Sequence, residues 1–230
     1  MRTSTTARSA VVDALLLLAV PAALLAAALS GVRYAAPLVF SVLAVALAFF
    51  FAGYERSRPG LRQIMPTLVL AACAAAGRVL FAPVPDFKPL SAIAIIAGAS
   101  LGPRNGFMVG ALAALVSNFF FGQGMWTPWQ MYAWGLVGYL SGALGGAGAL
   151  RRRPVLLGYG FCSAMLYGLV MNGYQAVSFV QPLTLPGVVA SFAAAVPFDV
   201  VHGLATAAFL AFLYAPWTRR IKRVVDKYGL

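Results

Sequence analysis

Long apolar runs alternate with short polar breaks along almost the whole chain. The breaks contain glycine, proline or charged residues, which end helices or build turns. A run of roughly 20 apolar residues crosses a bilayer as a helix, whereas the strands of a membrane barrel alternate at every second residue. The pattern therefore predicts an all-α, polytopic membrane helix bundle of about eight spans. The runs lie at 11–30, 36–53, 63–82, 89–101, 105–121, 128–149, 155–180 and 187–214.

The run at 89–101 is too short to cross a membrane alone. At 1.5 Å per residue it covers about 20 Å, less than the roughly 30 Å hydrocarbon core. One end of this helix is therefore expected below the membrane surface, where protein or a water-filled cavity must surround it.

Composition argues against a soluble domain. The chain is 62% hydrophobic and 10% charged, whereas soluble domains carry about 25% charged residues. The net charge is +12, and its basic residues lie in the breaks between apolar runs. This distribution favours membrane lipids as partners and no nucleic acid. Cys73 and Cys162 lie inside apolar runs and are expected to be buried free thiols.

The distribution of arginine and lysine predicts the orientation. If the N-terminus is cytoplasmic, fourteen of the 17 basic residues lie in inside segments and two, Arg33 and Lys88, lie in outside loops. Lys and Arg are retained on the cytoplasmic side. The split therefore predicts a multi-pass protein of a prokaryotic cell (plasma) membrane with both termini cytoplasmic. Because the first run is long and a second follows at once, we expect an uncleaved helix and not a signal peptide.

The chain is expected to divide into three parts. An N-terminal transmembrane hairpin and basic cytoplasmic link occupy 1–62, a six-helix unit occupies 63–214, and a basic cytoplasmic tail occupies 215–230. The sequence contains no glycine-rich phosphate loop ending in Gly-Lys-Ser/Thr, so an ATP-driven activity would need a partner. With one histidine and few acidic residues, neither a metal site nor a cofactor is predicted.

Three ionisable residues inside the runs are candidates for function. Asp199 and His202 are three positions apart and share one helix face. An ionised aspartate at the centre of a spanning helix costs about 2.5–3.5 kcal/mol, so it needs a partner or water. The pair contacts substrate, relays protons or is structural, with Arg78 as a candidate partner. Arg78 itself either extends to the membrane interface or faces inward toward an anionic ligand group.

Aromatic and amide side chains concentrate on the predicted outer side. Rings beside amides suit an organic ligand with apolar faces and polar edges. The alternative is an aromatic belt, although a belt is expected at both interfaces. The candidate substrate-binding residues here are Asp86, Lys88, Asn118, Gln123, Trp126, Trp129, Gln130, Asn172, Tyr174 and Gln175, together with Arg78, Asp199 and His202.

Small residues recur at a spacing of four, which allows helices to approach closely. They serve either packing within the bundle or docking against another membrane protein. The series are Gly138, Gly142 and Gly146; Gly98 and Gly102; Gly106 and Gly110; Ala71 and Ala75; and Ala72 and Ala76.

Over 63–214 the chain resembles the substrate-binding S component of energy-coupling factor (ECF) vitamin transporters. The features are the alanine-rich run from Leu70 to Arg78, the short helix that closes at Gly102 to Gly106, and the segment from Ser117 to Gln130. The segment around the paired tryptophans is most similar to S components assigned to cobalamin-type substrates, and a smaller heterocycle is the alternative. The N-terminal hairpin departs from the usual six helices of this family.

The resemblance implies partners and a site. An Ala-x-x-x-Ala face, here Ala71, Ala72, Ala75 and Ala76, would dock on a transmembrane coupling subunit that works with two cytoplasmic ATPases. The loops at 83–88, 122–127 and 181–186 would receive a vitamin from outside. The chain is then not an enzyme but the binding component of an ATP-driven importer.

Two other functions stay open from the sequence. One is a self-sufficient proton-coupled secondary transporter that uses Asp199 and His202. The other is an intramembrane enzyme with Ser163 or Ser191 as nucleophile and His202 as base.

Overall fold

The computed structural model describes residues 2–30, 35–56 and 60–229, and among these residues there is no strand. Each of the eight predicted apolar runs corresponds to one α-helix, which confirms the predicted all-α bundle. The helices are α1 (Arg2–Ser30), α2 (Ala35–Arg56), α3 (Leu61–Leu80), α4 (Leu90–Leu101), α5 (Pro103–Phe121), α6 (Trp126–Gly146), α7 (Arg153–Phe179) and α8 (Leu185–Tyr228), with a 3-10 turn at Ala149–Arg151 before α7.

Five of the described helices are long and apolar enough to cross a membrane: α1, α2, α3, α7 and α8. This is the architecture of a multi-pass membrane protein. Arg33 and Arg58, which contribute to the predicted charge asymmetry, lie outside the described residues. The orientation of the bundle therefore stays a prediction.

Local sequence explains where several helices begin and end. Gly102 separates α4 from α5 with φ of 92°, and Gly122 follows α5 with φ of 95°. Glycine adopts this left-handed region without a steric penalty. Pro103 then occupies the first position of α5, where its missing N–H is not needed. Thr184 begins α8 by accepting a hydrogen bond from the Gly187 N–H.

The short helix α4 lies inside the bundle and contacts α3, α5, α6, α7 and α8. It has 12 residues, or about 18 Å. All residues from Leu90 to Gly98 are buried. The apolar cluster around α4 also includes Trp217 and Ile221 of α8. The expectation that protein surrounds this short helix is confirmed.

Glycine allows α4, α5 and α6 to approach until their backbones touch. A Cβ on Gly98 would lie 2.0 Å from the Gly138 carbonyl oxygen, and one on Gly106 would lie 2.3 Å from the same atom. A Cβ on Gly110 would lie 2.2 Å from the carbonyl oxygen of Trp134. Of the two interpretations of the glycine spacing, internal packing is therefore correct for these positions.

The N-terminal hairpin packs on the side of the bundle that α5, α6 and α7 form. Phe50 of α2 stacks on Phe107 of α5 with ring centroids 4.0 Å apart. Asp13 of α1 forms a salt bridge of 3.2 Å with Arg104 and accepts a hydrogen bond from the Tyr139 hydroxyl. These contacts make the hairpin part of the same packed body as the six-helix unit.

Two sequence expectations need correction. Helix α8 has 44 residues and continues to Tyr228, so the predicted tail at 215–230 is helical up to that residue. Its basic side chains are exposed while Trp217 packs inward. Cys73 and Cys162 are free thiols, as predicted, but both are exposed on the helix surface and not buried.

Candidate functional site

A cavity of about 250 Å³ opens toward the end of the bundle where α3 and α5 end and α4 and α6 begin, and residues from the middle of α7 and α8 complete its wall. We call this the site end; the basic end is the opposite one, which carries the 151–153 turn. All six helices from α3 to α8 contribute to the cavity wall, as does the loop between α3 and α4. The lining residues are Arg78, Asp86, Lys88, Leu90, Ser91, Phe121, Gln130, Trp134, Tyr167 and His202.

Arg78 lies in the last turn of α3 and points into the bundle. Its side chain is 8% exposed. The guanidinium Nη1 donates hydrogen bonds to the Ser117 hydroxyl and to the Asn118 amide oxygen, both at 2.7 Å. Its carbon Cζ is 4.5 Å from the ring centroid of Phe121 and 4.9 Å from that of Trp134. The inward orientation is therefore the one adopted, and extension to the membrane interface is not.

Asn118 connects this guanidinium to α6. It is fully buried, and its amide nitrogen donates to the Thr127 hydroxyl at 3.0 Å and to the Gln130 side-chain oxygen at 2.8 Å. The Thr127 hydroxyl donates in turn to Gln123, which is exposed. Asn118 and Gln123 thus support the cavity wall without lining the cavity, whereas Gln130 lines it.

His202 belongs to a second group of polar side chains in the cavity wall. Its Nε2 is 2.7 Å from the Ser91 hydroxyl, which also accepts a hydrogen bond of 2.9 Å from the Trp134 indole. The Tyr167 ring packs against the edge of His202 and lies 4.5 Å from the Trp134 ring. This group joins α4, α6, α7 and α8 around one face of the cavity.

The loop between α3 and α4 brings two charges to the cavity mouth. Asp86 has φ of 54°, a left-handed conformation that aspartate tolerates better than most residues. Lys88 donates a hydrogen bond of 2.9 Å to the Val84 carbonyl. Partial burial raises the pKa of Asp86, and Lys88 opposes that shift. Partial burial also lowers the pKa of Lys88; Asp86 opposes this shift, and Arg78 adds to it.

A family of unknown function (DUF6580) matches residues 57–223. The chain belongs to the DUF6580 family. The matched range contains every lining residue of the cavity, whereas the N-terminal hairpin lies before it. No curated protein and no solved structure matches the chain.

Eight of the thirteen predicted substrate contacts do not line the cavity of this DUF6580 protein: Asn118, Gln123, Trp126, Trp129, Asn172, Tyr174, Gln175 and Asp199. Trp129 is 1% exposed and packs on Tyr174, with ring centroids 5.2 Å apart. Both rings belong to the apolar core shared with α1 and α2, because this face of α6 and α7 is turned toward the hairpin. Trp126 and Gln175 are exposed outside the cavity.

Asp199 also has a different partner from the one expected. Its carboxylate accepts a hydrogen bond of 2.9 Å from the Asn172 amide. It packs closely on Gly168, which leaves room for it between α7 and α8. Within the described residues it pairs with neither Arg78 nor His202, so the shared helix face does not produce a contact.

The alanine face of α3 divides into two halves. Ala71 and Ala75 are each 4% exposed and pack inside the bundle, so they are not available for docking and that part of the prediction is corrected. Ala72 and Ala76 lie on the exposed surface of the same helix.

Sequence reasoning missed Ser91, Trp134 and Tyr167, which sit in apolar helices without an ionisable neighbour in sequence. One signal was available for Trp134. It follows Gln130 by four positions, and that spacing places both side chains on one helix face.

Proposed function

We propose that this chain is the membrane-embedded substrate-binding component of an ATP-driven importer of the ECF type, and that it captures a vitamin or related micronutrient. The observation that supports this most is a cavity lined by rings and polar groups to which all six helices from α3 to α8 contribute. Largely preformed cavities of this kind, apolar with a few convergent polar groups, are typical of small-molecule sites.

The volume of the cavity limits the size of the substrate. At about 250 Å³ it is slightly smaller than the roughly 300–1,000 Å³ pockets that hold drug-sized ligands. A corrinoid macrocycle with its nucleotide loop is much larger than such ligands. We therefore propose a small heterocyclic or similarly compact solute in preference to a cobalamin-type one.

The orientation and the partners belong to the same proposal. The basic end lies in the cytoplasm of a prokaryotic cell and the site end faces outside, as the positive-inside rule requires. The exposed alanines Ala72 and Ala76 receive a transmembrane coupling subunit, which works with two ATPases. Impermeant thiol labelling of intact cells checks the orientation, with Pro85→Cys expected to react and Arg152→Cys expected to stay unlabelled.

Reconstitution tests the function. Small molecules retained by the detergent-purified chain are identified by mass spectrometry, and the chain is then placed in liposomes alone or with the coupling subunit and ATPases. We expect binding by the chain alone and uptake only with its partners and ATP. Uptake driven by a pH gradient alone would contradict the proposal and support a proton-coupled carrier. That carrier is disfavoured because Asp199 and His202 bond to different helices.

One observation supports an intramembrane hydrolase as a second candidate. The Ser91 hydroxyl and the His202 Nε2 are 2.7 Å apart at the cavity wall, which is nucleophile-to-base distance. Of the serines expected from the sequence, Ser163 instead donates to the Gly160 carbonyl. If the wild-type chain changes the retained molecule chemically and Ser91→Ala does not, this candidate replaces the importer.

A further inference from the structure

Arg78 is a buried cation that forms no salt bridge with any carboxylate among the described residues. The chain contains five Asp and Glu residues, and the salt bridge seen between described residues joins Asp13 to Arg104. Around Arg78 the acceptors are the neutral oxygens of Ser117 and Asn118. Removing an ion from water costs several kcal/mol unless a partner of opposite charge compensates. A ligand with negative charge would supply that compensation.

The hydrogen bonds of Arg78 leave one edge of the guanidinium free. Nη1 is occupied by Ser117 and Asn118. The other three N–H groups, on Nε and Nη2, have no protein partner among the described residues. The guanidinium carbon lies over the rings of Phe121 and Trp134, 4.5 Å and 4.9 Å from their centroids. A ligand therefore approaches in the guanidinium plane along the Nε–Nη2 edge, which matches the two oxygens of a carboxylate.

The rest of the cavity wall also favours an anionic ligand, and it limits the shape that the ligand can have. Lys88 contributes a second positive charge to the wall, against the single carboxylate of Asp86. Beyond this charged end the wall is formed by the rings of Trp134 and Tyr167, which are inclined at 33° to each other, with His202 beside them. Neighbouring aromatic rings in a small cavity favour a flat, unsaturated ligand body.

We propose that the cavity binds a compact ring-bearing carboxylate, with the carboxylate on the Nε–Nη2 edge of Arg78 and the ring against Trp134 and Tyr167. The inference rests on the proposed capture of a small solute and defines the chemical class of that solute. Gln130 and Ser91 lie in the same wall and supply hydrogen-bonding groups for the polar edge of the ring.

Three probes of nearly equal shape test this class on the full-length wild-type chain in detergent. Benzoate, benzamide and benzylammonium differ in charge but share the ring. Binding is measured by the thermal unfolding midpoint and by tryptophan fluorescence, since Trp134 lines the cavity. We expect benzoate to bind about tenfold to a hundredfold more tightly than benzamide, the range for hydrogen bonds to a charged group, and benzylammonium not to bind.

Two variants of Arg78 and one control variant test whether Arg78 is the source of the preference. Arg78→Gln should remove the preference for benzoate over benzamide, and Arg78→Lys should retain part of it. Arg104→Gln removes an arginine that pairs with Asp13 outside the cavity and should leave the preference unchanged. If Arg78→Gln does not fold, the comparison of the three probes on the wild-type chain still tests whether the cavity prefers a carboxylate.

The outcomes separate this inference from the function on which it rests. Equal binding of benzoate and benzamide, a preference for benzamide, no response to benzoate, or a preference that persists in Arg78→Gln would overturn the carboxylate assignment. Partner-dependent uptake of a neutral solute would do so while supporting the importer. Conversely, benzoate binding without any partner-dependent uptake would support the site and contradict the importer.

Discussion

The single side chain of Asn118 connects the charged guanidinium of Arg78 with neutral polar side chains of α6. It accepts from Arg78 on α3 and donates to Thr127 and Gln130 near the start of α6. The first two of these bonds are buried and the third is partly buried, and leaving a buried polar group without its partner costs the full desolvation free energy of that group. The residue therefore supports the fold as well as the cavity.

Asn118→Ala should lower the free energy of unfolding by about 1–3 kcal/mol, because Arg78 and Gln130 each lose a buried partner. It should also weaken benzoate binding, since the guanidinium is no longer held in position. Thermal unfolding and fluorescence titration measure the two effects. Gln175→Ala is the matched control, because Gln175 is an exposed amide outside the cavity, and it should change stability by less than about 0.5 kcal/mol. Wild-type stability of Asn118→Ala would contradict the role.

Asp86 gives the site end a pH dependence. Because burial raises its pKa, the folded chain binds a proton more readily than the unfolded chain does. Stability must then fall as pH rises from the ordinary value of 3.8 through the raised pKa, and it levels off above that. Asp86→Asn removes the titrating carboxyl. Asparagine, like aspartate, tolerates the left-handed backbone conformation at this position.

Asp86→Asn should therefore gain stability relative to wild type across that pH interval and keep the gain at higher pH. The measurement is the unfolding midpoint of both proteins at several pH values from mildly acidic to neutral. A difference that does not change with pH would show that the Asp86 carboxyl has an ordinary pKa in the folded chain.

The sequence predicted some of these side chains for an identifiable reason. Arg78 and His202 attract notice because ionisable groups are costly inside a membrane span. Ser91 and Tyr167 carry no such cost, and their role depends on which helices become neighbours in space. Trp129 was predicted to contact substrate, whereas it packs in the core beneath the hairpin. The sequence shows that Trp129 lies near one side of the membrane, but it does not show which face of α6 meets the hairpin.

At the scale of helices, the contact of α5 with α6 depends on the absence of side chains. A Cβ on Gly138 would lie 2.1 Å from the Gly106 carbonyl oxygen. Since this atom is backbone, it cannot move aside by changing rotamer. Gly158 on α7 has nothing within 4 Å of its would-be Cβ, so it offers a glycine in a helix without the contact.

Gly138→Ala should separate α5 from α6 and lower the free energy of unfolding by at least about 1–3 kcal/mol, the usual cost of overpacking. Gly158→Ala should be neutral or stabilising by up to about 1 kcal/mol, because alanine loses less backbone entropy. Both are read from thermal unfolding in the same detergent. Equal effects of the two substitutions would mean that helix propensity and not close packing governs the response.

The helices themselves were the most predictable part of the structure. Lipid-facing helices must satisfy their backbone internally, so apolar length and breaks suffice to locate them. The continuation of α8 beyond the last apolar run was not predicted, because the high density of charged residues there was interpreted as a tail. Trp217, Ile221 and Val225 recur every four residues there, a helical period that continues well past the membrane-length run.

For the whole molecule, the arrangement of surfaces decides where a partner can bind. The hairpin covers α6 and α7, and its main contacts do not include α3. The exposed side of α3 with Ala72 and Ala76 therefore stays open although the chain carries two helices more than the six-helix unit. In the proposed complex, the hairpin and a coupling subunit would therefore occupy different sides of the bundle.

Ala76→Leu places a larger side chain on the open surface of α3 and should abolish copurification with the coupling subunit. It should leave the unfolding midpoint and benzoate binding as in wild type, because Ala76 touches neither the core nor the cavity. Ala194→Leu, at an exposed alanine of α8, is the control and should copurify normally. Ala75→Leu differs from both, since Ala75 is buried and the change should lower stability by about 1–3 kcal/mol. A complex that forms equally well with Ala76→Leu would place the partner on another surface, and the small residues of α3 would then serve the bundle alone.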